Sequence, residues 1–184
     1  MEKAVKEFGA PDVLINSAGV AYCNDFEKTS FAKFDEEIRI DLYGVWNTCE
    51  ALVPVMKARG AGHIVNISSM AGLIGVYGYT AYSAAKFGLI GFSESLRGEL
   101  KPSGINVSVL CPPDTDTPQL HEENKTKPAE TKAIAGNAGL YQPDFVAKVM
   151  LRDTLKKKTG QAATQIPATS RAWWTPASWS GCWS

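Results

Sequence analysis

At 184 residues, 45% of them hydrophobic, the chain has the material for one domain with its own core. Nineteen basic and nineteen acidic residues cancel, so no polyanionic partner such as nucleic acid is indicated. No apolar run reaches the roughly 18 residues of a spanning helix and no signal peptide is expected; four scattered cysteines (Cys23, Cys49, Cys111, Cys182), with only His63 and His121 to join them, support neither a disulfide framework nor a metal site and point to a reducing compartment.

Residues 1–8 have helical composition but no N-cap, as if the chain began inside a helix, and Gly9-Ala10-Pro11 ends it. Asp12–Asn16 is a short apolar strand. Asn16-Ser17-Ala18-Gly19 then occupies the carboxyl end of that strand, where open parallel sheets take their ligands. Gly19 would allow close backbone approach to a cofactor, although the same residues also suit an ordinary turn. Ser30 caps a long helix running to about Arg59, with Phe34, Ile38, Leu42, Val45, Cys49 and Leu52 at helical spacing and Pro54 near its end. Asp41 lies on this helix, either as a surface acid or as a member of a site.

Gly60-Ala61-Gly62 turns the chain into an apolar strand, Ile64–Ser69, with His63 at its start read as a surface residue. Met70–Gly78 is a glycine-punctuated loop that could shape a substrate mouth, with Tyr77 and Tyr79 packing at its flanks. Thr80–Lys101 is a second long helix, thinned by Ala81, Ala84, Ala85, Gly88 and Gly91 so that another helix can approach. Pro102-Ser103-Gly104 stops it before the strand Ile105–Leu110. Strands joined by long helices make βαβ units, which predicts an α/β fold with a parallel sheet covered on both faces. Cys111–Pro118 follows the carboxyl end of the last of these strands. Leu120–Pro128 is polar and reads as a flexible loop, a substrate lid by position or simply solvated. Pro143–Lys158 is a final helix with Phe145, Val146, Val149 and Met150 inward. Beyond Thr159 the periodicity stops, and four of the five tryptophans fall in the last twelve residues. Residues 1–158 are therefore expected to form the folded domain, and 159–184 an irregular, disordered tail.

The chemistry concentrates in Tyr82-Ser83-Ala84-Ala85-Lys86. Tyr82 and Lys86 are one helical turn apart and leave the same face. The bare spacing equally suits an amphipathic helix, because chance supplies roughly half a match in a chain of this composition. Ser69, at the end of a strand, and Asn16–Gly19, at the end of another, are separate coincidences. An ammonium beside the phenol is expected to draw its pKa from about 10 towards neutral. Such a phenol exchanges a proton with a carbonyl or alcohol oxygen, and a serine hydroxyl polarises the same oxygen. That is a site for carbonyl–alcohol chemistry, and it needs a hydride source.

In these residues the chain resembles the short-chain dehydrogenase/reductases. Asn16-Ser17-Ala18-Gly19 is similar to their Asn-Asn-Ala-Gly signature; Ser69, Tyr82 and Lys86 match the catalytic Ser, Tyr and Lys; Pro112-Pro113-Asp114-Thr115-Asp116-Thr117 matches a Pro-Gly and later Thr. The resemblance covers about residues 1–159 and implies a partial, doubly wound Rossmann-like sheet, the C-terminal half of the fold. It implies NADPH as cofactor, contacted by Asn16, Ala18, Gly19, Tyr82, Lys86, Pro112, Thr115 and Thr117, with the segment Asn16–Gly19 lining its adenosine side and bracing the sheet. The family's helix Asn, which anchors a proton-relay water, is Asp41 here, a candidate fourth catalytic member. The family's Gly is Pro113, which stiffens the turn and removes a donor.

Within the family, Pro112–Pro118 and Glu122–Pro128 look most like the members that reduce 3-ketosphinganine, implying reduction of this long-chain keto-lipid to sphinganine at the cytosolic face of the endoplasmic reticulum. The resemblance also implies a homo-oligomer formed through the two long helices. The glycine-rich first turn that grips the dinucleotide pyrophosphate has no counterpart, so the chain reads as N-terminally truncated. Two other readings stay open: a non-catalytic form that pairs with a full-length reductase, and a reductase of a steroid or fatty ketone.

Overall fold

The computed structural model describes residues 2–135, 139–156 and 160–162 of the chain. Four parallel strands form one sheet in the order β1 (Val13–Asn16), β2 (Gly62–Ile67), β3 (Ile105–Leu110), β4 (Gly160–Ala162). Leu14 pairs with Ile64, and Ile64 with Val107, so the apolar side chains stack in one layer. The central strands β2 and β3 are almost wholly buried, as their near-continuous apolar runs require. β1 alternates, with Leu14 and Asn16 buried and Val13 and Ile15 each 39% exposed.

The connections are helical: α1 (Glu2–Phe8), α2 (Phe31–Ile38), α3 (Gly44–Arg59), α4 (Thr80–Leu100), α5 (Pro118–Thr126), α6 (Ala129–Ala135) and α7 (Pro143–Leu155). One face of the sheet packs Ile64 and Val107 against Val45, Leu52 and Met56 of α3 and Leu89 of α4. On the other face α7 brings Met150 and Thr154 to Val65 and Ser108. The fold is thus α/β with a parallel sheet and flanking helices, as the chain order of elements implied. The carboxyl ends of β1, β2 and β3 open on one edge, where residues 16–22, 68–79 and 111–117 gather.

Four details differ from the sequence reading. The helix expected from Ser30 to Arg59 does start on Ser30, whose hydroxyl accepts from the Lys33 N–H, but a π turn over Arg39–Tyr43 joins α2 to α3. There the Gly44 N–H reaches back five residues to the Arg39 carbonyl. The extra residue shifts the helical phase, so Glu37, Asp41 and Val45 all face inward. His63 is buried, not at the surface, because α7 covers its face of β2; its Nε2 lies 2.7 Å from the Ser108 hydroxyl, and burial holds the imidazole pKa below its ordinary value. Residues 120–128, expected as a flexible loop, are mostly helical. Thr117 caps α5, Pro118 opens it, and Leu120, Glu123 and Lys127 are buried. Finally, Gly160–Ala162 pair with Ser108–Leu110 as β4, inside the stretch expected to be tail. The tryptophans at 173, 174, 179 and 183 lie outside the described residues.

Candidate active site

Ser69 stands just past β2 and caps a short turn, Met70–Gly72, through a 3.1 Å bond from the Ala71 N–H to its hydroxyl. That turn lies directly on α4. A Cβ at Gly72 would stand 2.5 Å from Ser68 Oγ and 2.9 Å from the Lys86 carbonyl, so only glycine permits the approach. The Ser68 hydroxyl donates to the same Lys86 carbonyl at 3.1 Å. The first turn of α4 is set by Gly78, whose φ of +79° is the left-handed conformation and which is packed against Thr131 and Cys23.

These supports bring Ser69, Tyr82, Lys86 and Asp41 together. The Ser69 hydroxyl lies close enough to the Tyr82 phenol to lower its pKa. Lys86 Nζ lies 5.3 Å from the centre of the Tyr82 ring, donates to the Ile67 carbonyl at 3.2 Å and pairs with Asp41 Oδ2 at 3.4 Å. Asp41, fully buried, accepts from the Val20 N–H at 2.8 Å. Asp41 is therefore an inward-facing partner of Lys86 and not a helix-surface acid. The close approach expected of Gly19 is made to this pair: a Cβ there would stand 3.1 Å from Asp41 Oδ1 and 3.4 Å from Lys86 Nζ.

The electrostatics correct one expectation. The Tyr82 pKa is raised, not drawn towards neutral. Burial is the largest cause, the Asp41 charge adds to it, and the nearby Ser69 hydroxyl opposes it. Lys86 does not act as a free cation beside the phenol because Asp41 offsets its charge. Asp41 in turn is raised by burial, against the pull of Lys86 and of the Val20 N–H.

The residues expected around a cofactor divide. Asn16 is turned inward: its amide donates to Asn66 Oδ1 at 2.8 Å and its carbonyl oxygen accepts from the Thr48 hydroxyl at 2.7 Å, so it braces β1 against β2 and α3. Ala18 is exposed at the mouth. The Pro112 carbonyl accepts from the Met70 N–H at 3.1 Å, tying the loop after β3 to the serine turn. The Thr115 hydroxyl donates to the Pro113 carbonyl, and the Thr117 hydroxyl accepts from the Leu120 N–H as the α5 cap. Both hydroxyls thus have internal partners.

Sequence reasoning missed Glu37, Glu123 and Lys127. Glu37 is fully buried four residues before Asp41, with Oε1 accepting from the Tyr22 N–H at 2.7 Å, and burial pushes its carboxyl up to about 7. Glu123 receives the Tyr79 hydroxyl at 2.5 Å; Lys127 Nζ lies 3.6 Å from Asp114 Oδ2. No signal in the sequence singled out Glu37, because the π turn that lines it up with Asp41, Val45 and Cys49 does not register in helical periodicity.

A strand-end serine, a tyrosine and a lysine one turn apart, and a parallel α/β sheet define an oxidoreductase fold of the dehydrogenase type. The family model for short chain dehydrogenase matches residues 1–128, and the chain belongs to that family. Among its relatives, the 3-dehydrosphinganine reductase of Danio rerio is 42% identical over 156 residues, 85% of this chain and 47% of the relative. The 3-ketodihydrosphingosine reductase of Mus musculus is 40% identical over the same length, also covering 85% of this chain and 47% of the relative. That of Dictyostelium discoideum is 45% identical over 142 residues, 76% of this chain and 42% of the relative. The chain therefore spans about half the length of the curated relatives it matches. The crystal structure of a short-chain dehydrogenase from Streptomyces avermitilis superposes with a TM-score of 0.77 at 26% identity, covering 91% of this chain and 65% of that one.

Proposed function

We propose that the chain carries the catalytic half of an NADPH-dependent reductase that converts the ketone of 3-ketosphinganine to sphinganine. The observation that carries this reading is the convergence of Ser69, Tyr82, Lys86 and Asp41 at the carboxyl edge of the sheet, supported by 38–45% identity to reductases of that substrate class. The residues fit the nicotinamide end of a dinucleotide. Gly19 leaves open the space before Lys86 that a Cβ would fill, 3.4 Å from Nζ. Lys86, Tyr82, Ala18 and the backbone of Pro112–Thr115 would hold that end. NADPH, when bound, supplies the hydride that reaches the carbonyl carbon. Ser69 orients the carbonyl oxygen by hydrogen bonding, and Tyr82 gives that oxygen its proton. Lys86 and Asp41 hold the charge behind Tyr82.

Assembly through α3 and α4 belongs to the same reading, supported by the outward aromatic face of Tyr43, Trp46 and Phe87, with the Trp46 and Phe92 rings tilted against each other at 5.7 Å between centres. Placement at the cytosolic face of the endoplasmic reticulum rests on the family resemblance. Among the described residues no helix is long and apolar enough to cross a membrane.

A second reading, pairing with a full-length reductase without catalysis, is supported by β1, which has no neighbour on its outer side among the described residues and leaves Val13 and Ile15 uncovered. Titration of the chain with NADPH, followed by nicotinamide fluorescence and then by reduction of 3-ketosphinganine, separates the two. Saturable micromolar binding with turnover is the expected result; no binding overturns the catalytic reading in favour of the pairing one.

A further inference from the structure

We propose that Glu123, acting through Tyr79, is a positioning residue for Tyr82: a carboxyl group on α5 fixes the ring of the proton donor on α4. The bearing of this on ketone reduction rests on the function proposed above; the fixing of the ring does not. Tyr82 stands in the first turn of α4, and Tyr79 takes the N-cap position of that helix without a side-chain bond to it. Helix ends fray, so a side chain placed there keeps one position only if something outside the helix holds it. Against the Tyr82 ring lie Lys86 Nζ, 5.3 Å from its centre, and the Tyr79 ring, 5.4 Å away between centres and tilted by 46°. That separation and tilt fall in the range that aromatic pairs prefer. The Tyr79 ring is therefore one wall of the slot in which Tyr82 stands, and Ala21, Cys23 and Val76 fill the space around the two tyrosines.

Tyr79 is anchored at its far end. Its hydroxyl donates to Glu123 Oε2 at 2.5 Å, and both residues are more than nine-tenths buried. A short bond to a carboxyl group is strengthened by a low-dielectric interior. A ring tied at both its backbone and its hydroxyl keeps one axis, because rotation about χ1 would break the outer bond. Glu123 is held in its turn: its Oε1 accepts from the Gln119 amide at 3.0 Å, one turn back on α5. Lys127, one turn further on, has its ammonium 5.7 Å from the centre of the same Tyr79 ring. The contacts Gln119–Glu123–Tyr79–Tyr82 thus run without a gap from α5 to the phenol beside Ser69. The Glu123 charge also reaches Tyr82 directly and adds to the rise of the phenol pKa. Residues 118–126 therefore do more than cover the start of α4: they set the orientation of the tyrosine that gives the proton.

NMR of the 184-residue chain carrying ¹³Cζ-tyrosine tests this, with the Tyr82 signal assigned from Tyr82→Phe. Tyr79→Phe keeps the neighbouring ring and removes its anchor. Glu123→Ala removes the acceptor, and Glu123→Gln keeps an acceptor for the Tyr79 hydroxyl. Thr131→Val loosens the same segment elsewhere, by removing the 2.7 Å bond from the Thr131 hydroxyl to the Tyr77 carbonyl. The expected result is a Tyr82 signal that shifts or broadens in Tyr79→Phe and Glu123→Ala and stays near its wild-type position in Glu123→Gln and Thr131→Val. In turnover, Glu123→Ala should lower kcat by about 10²-fold with the KM for NADPH unchanged, as a misplaced proton donor does, and Glu123→Gln should restore most of the rate. A Tyr82 signal that ignores both Tyr79→Phe and Glu123→Ala overturns the proposal. So does one that moves as far in Thr131→Val, because any loosening of the segment would then suffice. Should Glu123→Ala fail to fold, Tyr79→Phe against the wild type decides alone. The NMR readout needs no turnover, so failure of the reductase assay leaves it intact.

Discussion

Two buried polar clusters lie on either side of Tyr82, and they are built to opposite ends. In front, Tyr79, Glu123, Lys127 and Asp114 pin α5 to the start of α4. There Glu123 takes the Tyr79 hydroxyl on one oxygen and the Gln119 amide on the other, and Lys127 pairs with Asp114. Behind, Glu37 Oε2 is buried with no hydrogen-bond partner, and Asp41 Oδ2 has the Lys86 ammonium at 3.4 Å. A fully satisfied network rigidifies, whereas a buried carboxyl short of donors holds its proton to higher pH. The first cluster therefore reads as a clamp and the second as part of the chemistry, although the same residue types build both.

The largest effect that could break this contrast lies on Tyr82 itself. Tyr82→Phe should lower reductase turnover by about 10²–10⁴-fold while leaving NADPH binding in place, the cost of losing the proton donor. Near-normal turnover would remove Tyr82 from the acid role and with it the meaning of the rear cluster. The next effect is on pH. The folded chain holds the Glu37 proton up to about 7 against an ordinary value of 4.5. Its protonated form therefore adds stability that is complete below the unfolded value, shrinks as pH rises, and is gone above the folded value. The span is worth about 3 kcal/mol. Urea unfolding at stepped pH should show that decline in the wild type and a flatter profile in Glu37→Gln; parallel profiles would assign the decline to other groups.

Tyr79→Phe should cost about 1–3 kcal/mol, the penalty for leaving a buried Glu123 oxygen without its donor. A neutral result, read as an unchanged thermal midpoint, would mean that the front cluster is no clamp. The smallest effect is the control: Lys125→Ala breaks the exposed pair with Glu122 on the outer side of the same helix and should change stability by no more than about 0.5 kcal/mol.

The chain by itself determined β1, β2, β3, the approximate span of the long helices and the parallel α/β order, because apolar runs and helical stripes are local patterns, whereas it missed β4. It also exposed Ser69, Tyr82 and Lys86, since one-turn spacing and a strand end can be read without coordinates. It left Asp41 undecided between a surface acid and a site member. Only the tertiary structure decided that, because the π turn changes which side of the helix residues 37–45 present, and helical periodicity alone does not register one extra residue. Packing likewise decided His63, which α7 buries, and residues 118–135, whose charged side chains form helices once Tyr79, Asp114 and the α4 start are there to receive them. The Tyr82 pKa was the sharpest case: Lys86 at one-turn spacing suggested a lowered value, and folding raised it by burying the phenol and setting Asp41 against the ammonium. Spacing names the groups that meet, while desolvation and the third charge, which depend on the whole fold, decide their protonation.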